Sequence, residues 1–209
     1  MPATKTRGPQ RRGELRRAQL LDAACALLAT QDLRQVSIED VARRAGIPVA
    51  SAYHFYPDRI ALFTAAARRH GEEVAALLTR PIPARQVRSW EDLIAIQLRR
   101  VSRFYRHNPA AQRLLIDPRA PPEVKLADRV HDRSLSAIIE ASFARHFELP
   151  RIAGRAQVFF HAVEIVDLML LLSVMQAGRI TPQMRRHAWI ACCAYLRAFL
   201  GPTLPRRQP

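Results

Sequence analysis

The chain has 209 residues, 49% of them hydrophobic and 24% charged, a globular balance that excludes a disordered chain or a disulfide-stapled miniprotein. Thirty-three basic residues, 31 of them Arg, stand against 18 acidic ones, and the formal charge of +15 suits a polyanionic partner such as nucleic acid. The charge does not by itself single out a surface, because residues 1–80 carry +5 of it and residues 81–209 carry +10.

Scarce β-branched alternation, 7 Gly, and 15 Pro falling mostly between helical patterns predict an all-α fold of about nine helices. Residues 1–13, with Lys5, Arg7, Arg11 and Arg12 among Gly and Pro, read as a flexible basic arm. A first helix follows over about 14–29, with Leu21, Ala24, Cys25 and Leu28 as its apolar stripe. Ser37, with Asp40 three residues on, marks a capping box for a second helix over about 38–44, buried through Ile38, Val41, Ala42 and Ala45. Gly46 permits a left-handed turn, and Pro48 fits the first turn of a short third helix to about His54. Pro57 stops that helix, and Asp58 opens a fourth that runs to about 79.

Longer helices are expected over about 89–107, 122–148, 151–177 and 182–200, with a short one over about 109–116. Asp117–Pro122 is a break, and Pro150, Gly178 and Pro182 punctuate the last three helices. Gly201-Pro202 ends the fold, leaving a short basic tail. The division expected is arm 1–13, DNA-binding domain 14–74, and ligand-binding and dimerisation domain 75–209.

Cys25, Cys192 and Cys193 are an odd count without a C-x-x-C, each inside an apolar run; they read as buried free thiols in a reducing, cytoplasmic setting. The N-terminus has no apolar core of a secretion signal. The apolar stretch from Val158 to Met175 is interrupted by His161, Glu164 and Asp167, which argues against a membrane span. Nucleophile-elbow, P-loop, dinucleotide-binding and zinc-protease motifs are missing, so no catalytic residue, metal site or cofactor is expected.

Helix two, a Gly turn and a short helix three have the geometry of a helix-turn-helix, in which the first helix braces on the phosphates and the second enters the major groove. Ser37, Ile38, Val41, Ala42, Ala45, Gly46, Ile47, Tyr53, Phe55, Tyr56, Arg59, Leu62 and Phe63 follow one another in a specific order. On these residues, positions 14–63 resemble the N-terminal domain of TetR (tetracycline-repressor-type) transcriptional regulators. The resemblance covers about a quarter of the chain and implies operator DNA, a small-molecule effector and a homodimer as partners. It has departures: Pro48 stands where the family often has Ser, Val49 replaces a common Lys, and Arg59 a usual Lys.

Chemistry then suggests roles. Ser37 and the start of helix two would offer N–H groups to a phosphate. Arg43, Arg44 and Arg59 would add charge, and Tyr53 a hydroxyl. Ser51 and His54 would reach base edges, and Pro48, Val49 and Ala50 lie on the same surface, the latter two suited to thymine methyls. Phe55 and Tyr56 would wedge helix three against helices one and four. Polar and aromatic groups embedded in apolar stripes (Gln97, Phe104, His131, Phe143, His161 and Glu164) are the candidates for lining a mainly apolar effector pocket. Arg99, Arg100, Arg103 and Arg106 read as a solvated face with a capacity to attract an anion. Helix eight is apolar around most of its circumference. With helix nine it predicts a dimer interface through Leu168, Leu171, Leu172, Met175, Trp189, Cys193 and Leu196. Two other readings stay open: an all-helical enzyme with an incidental hairpin, and an effector-independent DNA-binding protein.

Overall fold

The computed structural model describes residues 8–207, and of residues 8–10 and 128–132 only the backbone. Among the described residues nine α-helices follow in order: α1 (Gly8–Leu28), α2 (Ile38–Ala45), α3 (Val49–Phe55), α4 (Arg59–Thr79), α5 (Trp90–His107), α6 (Pro109–Ala111), α7 (Pro122–His146), α8 (Arg155–Ala177) and α9 (Pro182–Leu200). A 3₁₀ turn spans Ala84–Gln86, and α6 continues as a π-helical turn over Gln112–Ile116. The described residues form no strand beyond an isolated bridge between Phe147 and Arg206.

The first helix begins at Gly8, so residues 8–13 of the expected arm are helical. Pro9 in the opening turn removes an N–H that would have no intrahelical partner there, so it does not oppose the helix. Arg7 lies outside the described residues.

Helices α1 to α3 and the first half of α4 share one core: Leu20, Ala24, Leu28, Val41, Ala42, Leu62, Phe63 and Ala66 are each at most 1% exposed. α4 then continues into the second half, where Val74 and Leu78 are buried against α5 and α7. One rigid rod thus belongs to both cores. Its packing on α1 has a polar clasp. Arg69 donates to Asp22 Oδ1 at 2.6 Å and to Cys25 Sγ at 2.9 Å; His70 Nε2 lies 3.3 Å from the same sulfur and His70 Nδ1 3.0 Å from Glu73. Cys25 is therefore half-buried, packed against the core on one side and in contact with this polar cluster on the other, and burial pushes its thiol up while Arg69 opposes.

In the second half α8 packs on α7 and α9, and α5 on α9. Phe143 and Phe159 stack edge-on at 5.2 Å, with Trp90 6.2 Å from Phe143; such pairs add about 1 kcal/mol each beyond their burial. The tail folds back: Arg207 N–H donates to His146 O and Glu148 N–H to Pro205 O, pinning residues 205–207 beside the end of α7. The two halves are also joined across the break, where Arg119 holds Asp117 Oδ2 at 2.7 Å and reaches Asp32 Oδ2, in the loop after α1, at 2.9 Å.

Candidate nucleic-acid interface and internal cavity

The start of α2 is fixed by the capping box. Ser37 Oγ accepts from Asp40 N–H at 3.1 Å, and Asp40 Oδ2 accepts from Ser37 N–H at 3.4 Å and from its hydroxyl at 2.6 Å. The Ser37 hydroxyl holds the Asp40 carboxyl below its ordinary range. Both polar groups of Ser37 are thus engaged in capping α2.

α2 ends on Gly46, at φ 65° and ψ 30°. There Gly46 and Ile47 donate back into the last turn, and Ile47 buries its side chain. A side chain at 46 would strain this left-handed turn, which sets the angle between α2 and α3. Pro48 is the residue before α3 and supplies no side-chain cap. Ala52 faces inward, and Phe55 packs edge-on to His54 with the Arg17 guanidinium 5.9 Å from its ring. Tyr56 is 6% exposed.

The outer face is the one the sequence singled out. Arg43, Arg44, Pro48, Val49, Ala50, Tyr53, His54 and Arg59 are exposed, and Ser51 is half-buried. Two of these side chains are held in place. Tyr53 donates its hydroxyl to Glu39 Oε1 at 2.6 Å, and Arg59 donates to Arg34 O at 3.3 Å. Donation from Tyr53 holds the Glu39 carboxyl below its ordinary range and pushes the Tyr53 hydroxyl up. A short helix carrying exposed Val, Ala, Ser, Tyr and His, 7 residues long and braced by a capped partner, can approach base edges without clashing.

Beside the second half of α4 lies an apolar cavity of about 80 Å³. Gly71, Val74 and Leu78 of α4 line it, with Ile94, Gln97, Leu98 and Val101 of α5, Leu135 and Ile139 of α7, and Ala162, Val166 and Asp167 of α8. Of the six expected lining residues, the structure brings Gln97 here, with its Nε2 donating to Leu78 O at 2.9 Å. The others are placed differently. Phe143 is 1% exposed in the aromatic core, and Phe104 stacks beside His70 and Tyr105. His161 is exposed, between Gln157 and Tyr195 Oη at 3.1 Å. Glu164 is half-buried and outside the lining, and the side chain of His131 lies outside the described residues. Periodicity marks aromatics and polar groups on an inward face but cannot say which of them border a void. Asp167 supplies the polar group that Glu164 was expected to supply.

The TetR N-terminal family model, described as bacterial regulatory proteins of the tetR family, matches residues 20–66, and the model of a tetracyclin repressor-like C-terminal domain matches residues 89–196, over half of the chain. The protein belongs to the TetR family. Solved structures agree on the fold. A TetR-family transcriptional regulator from Streptomyces coelicolor superposes with a TM-score of 0.65 at 22% identity, over 88% of this chain and 99% of its own. One from Rhodococcus sp. RHA1 does so with a TM-score of 0.65 at 21%, over 90% and 97%. The regulator RolR, solved with resorcinol bound, has a TM-score of 0.60 at 17%, over 93% and 97%. No curated protein sequence matches the chain. As a TetR-family transcriptional regulator it binds DNA through α2 and α3.

The expected dimer surface needs correction. Cys193 is 5% exposed and Leu196 0%, both turned into the subunit's own core, and burial pushes the thiols of Cys192 and Cys193 up to about 12. Trp189 is half-buried and donates to Glu91 O at 3.2 Å, on α5 of the same subunit. Leu168 and Met175 are exposed, Leu171 and Leu172 half-buried, and Ile190 and Phe199 of α9 extend the same apolar character outward. α8 is long and apolar enough to cross a membrane by composition alone, and a third of its most apolar window is buried. Its outward stripe is Ile165, Leu168, Leu172 and Met175, a helical repeat of three and four residues.

Proposed function

We propose that this TetR-family protein is a homodimeric repressor whose operator affinity falls when a small, mainly apolar effector enters the cavity between α4, α5, α7 and α8. The observation that carries the effector half is the position of that cavity on α4, the rod that also belongs to the DNA-binding core. A cavity of roughly 150 Å³ admits benzene. At about 80 Å³, this one must open to take a single ring. Opening moves Gly71, Val74 and Leu78, and the rod carries that movement to Leu62 and Phe63. The binding energy of the ligand for the opened form is what shifts the equilibrium. RolR, of the same fold, was solved with resorcinol, and a hydroxylated ring would find in Asp167 an acceptor for its hydroxyl.

On DNA, Arg43, Arg44 and Arg59 neutralise phosphates, Ser51 and His54 meet base edges, and Val49 and Ala50 meet thymine methyls. Tyr53 joins them by handing its hydroxyl from Glu39 to a phosphate. A two-fold dimer reads a palindromic site, with half-sites about one helical turn apart. The stripe of α8 from Ile165 to Met175 and the outer residues of α9 pair with their mates across the axis. Duplexes selected from a random pool and titrated at several salt concentrations test the reading head. Arg59→Ala should weaken binding to every sequence and reduce the salt slope by about one, whereas His54→Ala should mainly relax sequence preference. Unchanged affinity and salt slope in Arg59→Ala and Arg43→Ala together would refute it.

A further inference from the structure

We infer that the cleft between the C-terminal end of α5, the π-helical turn, and the α8–α9 junction is a second ligand site, built for a small organic anion carrying a carboxylate or phosphate. Its volume is about 540 Å³, within the range of small-molecule pockets. It is distinct from the apolar cavity, with Tyr105 lining both.

Five arginines line this cleft: Arg106, Arg113, Arg119, Arg179 and Arg185. One carboxylate faces them, Asp117, and it is spent. Arg119 holds both of its oxygens, at 2.7 and 3.0 Å. Arg113 is spent as well, donating to Leu28 O at the end of α1. Arg106, Arg179 and Arg185 remain. Their side chains make no ion pair or hydrogen bond among the described residues. They come from three places: the last turn of α5, the loop after Gly178, and the first turn of α9. Three arginines from separate segments thus border one cleft, and Arg185 sits in the first turn of a helix, where the dipole already favours an anion. That turn carries no acidic residue to relieve it.

A second observation points the same way. Ser102 lines the cleft, is 6% exposed, and its Oγ has no hydrogen-bond partner among the described residues. A buried hydroxyl left unsatisfied is costly unless something supplies the bond. An anionic oxygen entering between the arginines supplies it, accepting from Ser102 and from the guanidinium forks together. Val174 and Ile180 on the opposite side give the ligand an apolar body to lie against. The sequence had read Arg106 together with Arg99, Arg100 and Arg103 as one solvated face. The structure sets one of them apart. Arg100 caps the end of α4 through Arg80 O and Pro81 O, while Arg99, Arg103 and Arg106 are all exposed and, of these, Arg106 also lines the cleft.

The test uses the full chain, with benzoate and phenyl phosphate as probes and benzamide as the uncharged isostere, titrated calorimetrically in physiological salt. One of the two anions should bind saturably at one per chain, and the tighter of them identifies the head group. Benzamide should not bind. Arg179→Gln with Arg185→Gln should weaken binding by about a hundredfold, roughly tenfold for each charge-assisted contact. Ser102→Ala should weaken it severalfold. Arg99→Gln with Arg103→Gln removes the same charge from outside the cleft and should leave affinity unchanged. Equal losses in the two double variants would reduce the effect to the overall positive charge and overturn the proposal. So would benzamide binding as tightly as benzoate, or no saturable binding of either anion below about 10 mM.

Discussion

Filling the apolar cavity should stabilise the protein and lock it in its DNA-binding form. Ala162 lines the space and is 3% exposed. Leucine there adds three carbons, worth up to roughly 2 kcal/mol at about 0.8 kcal/mol per buried methylene. The void itself, about 80 Å³, carries a cost of similar size, about 2 kcal/mol at roughly 24 cal/mol per Å³. Fitting an isobutyl group into a space of fixed shape returns part of this as strain. A net gain of about 1 kcal/mol is expected, or a rise in Tm of roughly 2–4 °C for a chain of this size. Pressure unfolding gives the more direct reading. Eliminating 80 Å³ per molecule corresponds to about 50 mL/mol, well inside the usual unfolding volumes, so Ala162→Leu should shrink the measured volume change by a substantial fraction. The variant should bind DNA as the parent does and no longer release it to ring-sized ligands. An unchanged unfolding volume, or a loss of stability, would show that the space is not a void the side chain can enter, and the coupling through α4 would fall with it.

Asp117 offers a pH test. Burial pushes its carboxyl up, but Arg119 outweighs burial and holds it below the ordinary carboxylate range. Its contribution is therefore full above the unfolded value of about 4 and is lost as pH falls through the folded value. Asp117→Asn should flatten the fall in urea midpoint between pH 5 and pH 3, and a parallel fall in both proteins would contradict the pairing. The cysteines offer another. With the thiols of Cys192 and Cys193 pushed up to about 12 by burial, a thiol reagent at pH 8 should label at most Cys25 in the native protein, and all three in urea. Rapid native labelling of Cys192 or Cys193 would show that α9 does not face its own core.

Helix ends were legible wherever a capping side chain or a glycine sets them. Ser37, Gly46, Asp58 and Gly178 each cap or terminate at the expected place, because capping is local chemistry between residues three or four apart. The exposed face of α3 was legible for the same reason, since a 7-residue helix with one buried residue, Ala52, and a packed Phe55 leaves Val49, Ala50, Tyr53 and His54 outward. Partnerships between distant segments were not. Arg119 with Asp32 spans 87 residues, and Arg69 with Cys25 spans 44; no periodicity encodes either. The phase of an all-apolar helix was also hidden. On α9, Cys193 and Leu196 share an apolar pattern with Ile190 and Phe199, and only the packing of α5 and α8 decides which pair turns inward. The anion cleft draws its arginines from positions 106, 113, 119, 179 and 185, so it exists only in the folded chain.

That hidden phase makes the dimer testable by a contrast between two leucines. Leu168 is 56% exposed on the outer stripe of α8, and Leu196 is fully buried on the inner face of α9. If the stripe is the dimer seam, Leu168→Arg carries one charge per subunit into an apolar contact, at a cost of several kcal/mol per ion. The dimer dissociation constant should rise at least a hundredfold, while the monomer keeps its fold, because an arginine at an exposed site disturbs nothing within the subunit. Leu196→Ala should do the reverse. It opens a cavity in the subunit core and should cost about 2–5 kcal/mol of folding stability, with no direct loss of seam contacts. Sedimentation equilibrium and chemical denaturation of both variants separate the two effects. DNA binding should follow the dimer: Leu168→Arg should bind a half-site as weakly as one reading head can, and lose the gain that a palindrome gives to two linked heads. A Leu168→Arg protein that remains dimeric at micromolar concentration would move the seam off α8 and leave its exposed apolar stripe without the partner argued for it.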